Sequence, residues 1–278
     1  MMQTNSILNN AGVSTISILM PLPDRDFDPT ESAIPWKVCT LHGWAVAFST
    51  EHGNIAQTDL NKLKGPLPGL MSASKKAQAA YQEMTQDQYF QHPIPYTEID
   101  PDNYAALLLP GGDAPGMRQY LENPVLQSKV LQFWQKDKLI GAICHGLLVL
   151  ARTIDPQTRH SMLYGHKVTA VPKSLDRLAY RFDSWFLKHG YIMYSSCVAD
   201  EVRACLENPG DYSPGPNIFS PYVCSDGNLV TSRWYLDAEL FAQRFADELQ
   251  RRIQNQVKPE KMDTHNDELD PHRSNIVQ

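Results

Sequence analysis

Cys144, His145 and Gly146 interrupt an otherwise apolar stretch, with Leu139-Ile140-Gly141-Ala142-Ile143 before them and Leu147-Leu148-Val149-Leu150-Ala151 after. The first run reads as a buried strand and the second as a helix, so the cysteine falls on a sharp strand-to-helix turn. Such a turn lifts its central side chain out of the packed layers and sets it at the positive end of a helix, where a thiolate is favoured over a thiol. Cys144 is therefore the candidate nucleophile. A free cysteine in apolar surroundings is more often a small buried hydrophobe, and a second segment tips the reading toward chemistry.

That segment is Ala105-Ala106-Leu107-Leu108-Leu109-Pro110-Gly111-Gly112. Its apolar run ends in a double glycine, which lets the backbone approach a ligand and turn N–H groups toward a developing oxyanion. Gly-Gly alone is usually a plain turn. In a parallel sheet, however, this loop and the cysteine turn both lie at carboxyl ends of strands, where open α/β sheets bind ligands. Gly111, Gly112 and Gly146 are the candidate oxyanion and binding positions.

Three separated motifs now carry a resemblance. Leu109-Pro110-Gly111-Gly112, Ala142-Ile143-Cys144-His145-Gly146 and the early acid in Glu31-Ser32-Ala33-Ile34-Pro35 together resemble the ThiJ/PfpI superfamily, with its class I glutamine amidotransferase-like fold. The likeness covers roughly residues 14 to 250. It implies that Glu31, matched by position and by the proline four residues on, lies beside the elbow cysteine.

A carboxyl beside a thiol has two regimes. Protonated, it hydrogen-bonds the sulfur and serves as general acid or base; ionised, it repels a thiolate and raises both pKa values. Without the resemblance, Glu31 reads more simply as a solvated acid in the first turn of a helix. His145 follows the nucleophile and is the candidate base and proton shuttle. Some relatives place an acid just past the segment that matches residues 167–172. Lys173 occupies the next position here, so the orienting acid is left between nearby Asp176 and a residue of a neighbouring subunit. Arg233, after the last strand, is a candidate carboxylate binder, or equally a salt bridge that ties down the terminal helix.

Composition describes a single α/β enzyme domain. Of 278 residues, 42% are hydrophobic, which provides ample core. A formal charge of −6 without a basic run argues against a nucleic-acid partner. Cys39, Cys144, Cys197, Cys205 and Cys224 lack the spacing of a zinc ribbon or a disulfide framework, which fits a reducing, cytoplasmic setting. The first apolar run, residues 14–22, is too short to span a bilayer. No cofactor, metal or membrane is expected; the partners are a small-molecule substrate and, by the resemblance, a second copy in a homodimer. Glu51, His52 and Asp59 fit no strong ligand pattern and read as a solvated loop.

The expected fold is an α/β flavodoxin-like three-layer sandwich: a mostly parallel sheet with helices on both faces and a nucleophile elbow. Residues 1–13 form an extension, 14–256 the domain, and 257–278 a charged, disordered tail that carries His265 and His272. Strands are expected at 15–21, 44–49, 138–143, 167–171, 191–194, 222–224 and 228–232, besides the run that ends at the double glycine. A loop spans 23–30. Helices are expected at about 31–41, 72–84, 123–136, 174–188 and 237–253. The connection from 50 to 95 is long enough to act as a lid.

The resemblance favours attack by Cys144 on a small reactive carbonyl such as an α-oxoaldehyde. Glu31 and His145 would move the protons, without glutathione or metal, in a glyoxalase- or deglycase-like reaction. A cysteine amidase or peptidase, and a redox-sensing or holdase stress protein using the same thiol, stand as alternatives.

Overall fold

The structure is a computed structural model that describes residues 16–65, 72–177, 193–194 and 196–257. In chain order its strands are β1 (Ser17–Pro21), β2 (Arg25–Phe27), β3 (Ala45–Thr50), β4 (Gln57–Thr58), β5 (Ile94–Pro95), β6 (Ala106–Leu109), β7 (Leu139–Ile143), β8 (Val223–Asp226) and β9 (Leu229–Ser232). The principal helices are α1 (Pro29–Leu41), α2 (Lys75–Met84), α3 (Pro124–Gln135), α4 (Leu147–Arg152), α5 (Val198–Cys205) and α6 (Ala238–Val257).

Every residue of β6 and β7 is buried. Such unbroken apolar runs are what a parallel strand covered on both faces requires, and each fully buried leucine or isoleucine contributes about 1.5–3 kcal/mol relative to exposure. The seven-stranded sheet has the order β5-β3-β1-β6-β7-β9-β8 and is parallel except for β8, which pairs antiparallel with β9. It is the mostly parallel α/β sandwich expected. Because β1 has β3 on one side and β6 on the other, the chain reverses its direction of travel across the sheet at β1. Ligand crevices form at such a switch point. Helix α6 presses on β7 so closely that a Cβ on Gly141 would lie 2.7 Å from the Phe245 ring and 2.9 Å from Leu108.

The region between β1 and α1 differs from the expected loop. Asp28 caps α1 by accepting the N–H groups of Thr30 (2.7 Å) and Glu31 (3.1 Å), and Pro29 takes the first helical position. The helix thus begins two residues before the expected start. Ahead of it, β2 pairs in parallel with β4 as a separate two-stranded sheet. The connection from 50 to 95 is therefore anchored rather than free. Thr58 and Asp59 bond to the Phe27 carbonyl, and Lys62 on the turn Leu60–Lys64 reaches Asp113.

The strand expected at 167–171 does not join the sheet. Only a single bridge, Val168 to Tyr212, forms there. The Lys167 N–H goes to Asp226 Oδ2 (2.8 Å) and the Thr169 N–H to Thr231 Oγ1 (3.0 Å), so side chains of the β8–β9 hairpin take the donors a ladder would need. β9 instead fills the place beside β7. Residues 193–194 form no strand, and 191–192 lie outside the described residues. The helix expected over 174–188 is described only to 177, where 173–177 are helical. The expected extension at 1–13 and the tail beyond 257 also lie outside. Among the described residues no helix is long and apolar enough to cross a membrane.

Candidate active site

Cys144 follows the buried β7 at φ +59°. A non-glycine residue in this left-handed region costs roughly 1–3 kcal/mol, and such strain concentrates where a side chain must be held for a task. Two glycines make the turn possible. A Cβ on Gly146 would sit 2.2 Å from the Leu109 carbonyl oxygen and 2.6 Å from that of Pro110, so the elbow is jammed against the end of β6. A Cβ on Gly111 would lie 2.6 Å from Glu31 Oε2 and 2.7 Å from Cys144 Cβ. Gly111 thus touches both the acid and the cysteine, and the loops after β1, β6 and β7 converge on one point. Gly112 adopts φ +152°, with its Cβ position 2.8 Å from the Asp26 carbonyl oxygen.

Glu31 is 2% exposed, and its Oε2 accepts no hydrogen bond of ordinary geometry. Burial pushes its pKa well above the usual carboxylate range, and the negative charge of Asp28 adds to the push; an interaction with the Cys144 thiol opposes them. The carboxyl is therefore held as the neutral acid.

The thiol does not follow the sequence expectation of a lowered pKa. Burial, then the charges of Glu31, Asp113 and Asp28, push Cys144 well above its ordinary value, opposed by the His145 backbone N–H. The physical reason is burial first, and then a balance of fields. The helix beyond the elbow is a 3₁₀ turn followed by only six α-helical residues, and the effect of its dipole falls off within a turn. Burial, with carboxyls arriving from two other loops, outweighs it. The resting pair is a thiol beside a carboxylic acid.

His145 Nδ1 stands 3.3 Å from Cys144 Sγ. Burial lowers its pKa, Asp176 and Asp113 oppose, and Lys62 and Arg152 reinforce, so the imidazole is neutral and able to accept a proton. Asp176, one of the two acids the sequence left open, bears on the imidazole through its charge. Its carboxyl is raised by burial, a rise opposed by the Val198 N–H that it accepts at 2.8 Å.

Three site residues escaped sequence reasoning. Asp28 is 5% exposed and raised to about 6, burial being the main cause and Lys62 an opposing one. Asp113 is lowered: burial acts to raise it, but the ammonium of Lys62 at 2.9 Å, through its charge and its hydrogen bond, more than offsets this. Lys62 reaches in from the 50–95 connection. The Asp28-Pro29 helix-start signal could have revealed the first of these, and the place directly after Gly111-Gly112 the second; nothing local marks Lys62.

Arg233 requires a correction. It is 0% exposed. Nε donates to Asp237 Oδ2 (2.8 Å), Nη1 to the carbonyls of Pro214 (3.1 Å) and Asn217 (2.7 Å), and Nη2 to the Ser220 carbonyl (2.7 Å) and Asp237 Oδ1 (2.8 Å). All five donors of the guanidinium are engaged, so Arg233 ties loop 213–222 to the start of α6 and holds none for a substrate carboxylate. Among the described residues, no group of three or more His, Cys, Asp or Glu side chains is placed to hold a metal.

A strained cysteine elbow facing a buried acid, at the switch point of a mostly parallel sheet, defines a class of α/β protein built around one thiol. The model of a family described as ThiJ/PfpI family-like matches residues 22–216, and the chain belongs to the ThiJ/PfpI family. Its fold is similar to that of glyoxalase III (Orf 19.251) from Candida albicans, with a TM-score of 0.64 at 16% identity over 84% of this chain and 96% of that one. Among curated sequences it is 27% identical over 121 residues to the uncharacterized protein C14C4.04 of Schizosaccharomyces pombe, or 43% of this chain and 45% of that protein. It is 37% identical over 57 residues to Deglycase TK1284 of Thermococcus kodakarensis, or 20% of this chain and 33% of that one. The chain thus spans less than half the length of these two curated relatives.

Proposed function

We propose that this protein is a cysteine-dependent enzyme that acts on small reactive carbonyl compounds, with Cys144 as nucleophile and Glu31 and His145 as proton carriers. The observation that carries the reading is the neutral Glu31 carboxyl, with its unpartnered Oε2, against a thiol whose other neighbour is a neutral imidazole at 3.3 Å.

An α-oxoaldehyde makes use of all three groups. Sγ forms a bond to the aldehyde carbon while its proton passes to His145 Nδ1, and Glu31 gives its proton to the aldehyde oxygen, whose π bond breaks. The product is a hemithioacetal. Glu31, now a carboxylate, removes the carbon-bound proton of that adduct while His145 protonates the neighbouring carbonyl oxygen, giving an enediol. Glu31 then returns the proton to that neighbouring carbon as the hydroxyl on the sulfur-bearing carbon gives its proton back to His145, giving the isomeric thioester of a 2-hydroxy acid. Water then cleaves the thioester, restoring the thiol and releasing the hydroxy acid. The nucleophile belongs to the chain, so glutathione has no role. Each positioned proton transfer is worth typically 10²–10⁴-fold.

The relationship of Asp176 to His145 favours a second reading, a cysteine amidase or peptidase, since an acid that bears on the histidine is the arrangement such acyl transfers use. One experiment separates the two. Methylglyoxal consumption without glutathione is followed for wild type, Cys144→Ala, Glu31→Gln and His145→Ala. Turnover lost in all three variants supports the carbonyl reading. No turnover by wild type with a titratable Cys144, together with release of p-nitroaniline from peptide anilides, would replace it with the hydrolase.

A further inference from the structure

We infer that the Cys144 pocket selects by charge, admitting uncharged or cationic carbonyl compounds and turning away those that carry a carboxylate or phosphate. The inference rests on the reading of Cys144 as the carbonyl nucleophile and narrows its substrate class.

The argument is a census of charge at the sulfur. Glu31, Asp113 and Asp28 all act on the Cys144 thiol. An anionic substrate would need a cation to receive it, and the two cations that act on His145, Lys62 and Arg152, are already paired, as is Arg233. Lys62 is bound to Asp113 at 2.9 Å. Arg152 holds Glu201 through Nε at 2.6 Å and Nη2 at 3.0 Å, and gives its remaining nitrogen to Tyr194 at 2.8 Å. Arg233 has all five donors engaged. His145 is neutral. With Lys62 and Asp113 cancelling and Glu31 protonated, Asp28 remains as net negative charge beside the thiol. Cys144 is 8% exposed, so little water stands between that charge and an approaching ligand, and like charges repel more strongly in such a medium than in bulk. Rejection by unpaired like charge is how a site discriminates without making any contact to the favoured ligand.

The size-matched anionic and cationic methanethiosulfonates, sulfonatoethyl and trimethylammonioethyl, test this directly, with the uncharged methyl reagent as reference. Each transfers its thioalkyl group to sulfur as a disulfide and expels methanesulfinate. Rates at Cys144 are read by peptide mass mapping on the full chain and divided by the rates for free N-acetylcysteine. After that correction the cationic reagent should react at least tenfold faster than the anionic one. Asp113→Asn removes an anion and releases the Lys62 ammonium, so it should narrow the ratio severalfold; should that variant fail to fold, the wild-type ratio decides alone. A corrected ratio of one or below, or a ratio unmoved in folded Asp113→Asn, overturns the inference. A pocket that takes the methyl reagent but neither charged one overturns its acceptance of cations.

Turnover supplies the second arm. Methylglyoxal should exceed the anionic glyoxylate by tenfold or more in kcat/KM, and a preference for glyoxylate overturns the inference. If neither is consumed, the carbonyl-enzyme reading falls while the methanethiosulfonate ratio still decides charge selection.

Discussion

Two buried charged clusters lie at the carboxyl edge of the same sheet, one after β9 and one after β1, β6 and β7, and they are built on opposite rules. Arg233 and Asp237 are both fully buried, with every guanidinium donor matched to an acceptor. At Cys144 the backbone is strained, Glu31 Oε2 lacks a partner, and negative groups outnumber positive ones. Buried polar groups in folded proteins are overwhelmingly satisfied, so the contrast has diagnostic value. The saturated cluster holds the chain together. The unsaturated one keeps a proton on a buried carboxyl and an unmatched oxygen beside a strained thiol.

The comparison breaks most sharply under deletion of each centre. Cys144→Ala should lower carbonyl turnover by at least about 10³-fold, the scale expected when a covalent nucleophile is removed, and should leave urea unfolding within about 1 kcal/mol of wild type. Cys144→Gly should unfold later still, because glycine relieves a left-handed strain of roughly 1–2 kcal/mol. Arg233→Leu should do the reverse. It strands the Asp237 charge in the interior and should cost about 3–5 kcal/mol of stability in urea titrations, while the folded fraction keeps its kcat. Arg233→Leu with Asp237→Leu should recover part of that loss, because the stranded charge goes too. A large kcat effect with little change in stability for Arg233→Leu would mean that the two clusters are not separable.

Gly111→Ala probes the contact between the loops. Its methyl would enter at 2.6 Å from Glu31 Oε2 and 2.7 Å from Cys144 Cβ, and displacing either group by an ångström costs on the order of 10²-fold in rate. The expected signature is a fall in kcat with little change in KM. An unchanged kcat would show that the acid and thiol need not be held this closely.

How much of this was legible in the sequence follows from how local each cause is. The elbow, the double glycine and the β8–β9 hairpin were readable because an apolar run followed by a glycine turn is written in consecutive residues, and Gly227 at φ +59° is the turn that Asp226-Gly227 announces. Glu31 was placed by resemblance, not by pattern. The rest depends on encounters between distant segments. The β2–β4 pair is too short to show a period, yet it carries Asp28 and the Lys62 turn to the same spot. Residues 167–171 look like a strand because they are apolar and β-branched, but the hairpin side chains claimed their donors. The thiol pKa was misjudged for the same reason. The helix dipole is visible in the sequence, whereas what overrules it is not: burial comes from the packing of the whole site, and Asp113 and Asp28 come from 31 and 116 positions upstream.

Asp28 gives the smallest effect and the finest test, because it belongs to both worlds: it caps α1 as a structural acceptor and bears on the thiol as a charge. Its folded pKa of about 6 lies above the ordinary value of 3.8, so the folded state binds its proton more tightly than the unfolded chain does. Linkage then requires this group's contribution to stability to fall as pH rises from about 4 through about 6, with the full penalty present above. At 1.36 kcal/mol per unit the penalty is bounded by about 3 kcal/mol. Asparagine keeps a side-chain oxygen for the N–H groups of Thr30 and Glu31 and cannot ionise. Asp28→Asn should therefore unfold like wild type at pH 4 and be the more stable protein at pH 8, by roughly 1–3 kcal/mol. With one anion fewer beside the sulfur, the pH midpoint for alkylation of Cys144 should also move down. A variant less stable than wild type at pH 8 would show that the Asp28 charge serves the cap and Lys62 more than burial penalises it, and the acid beside the thiol would then belong with Arg233 among the saturated, structural groups.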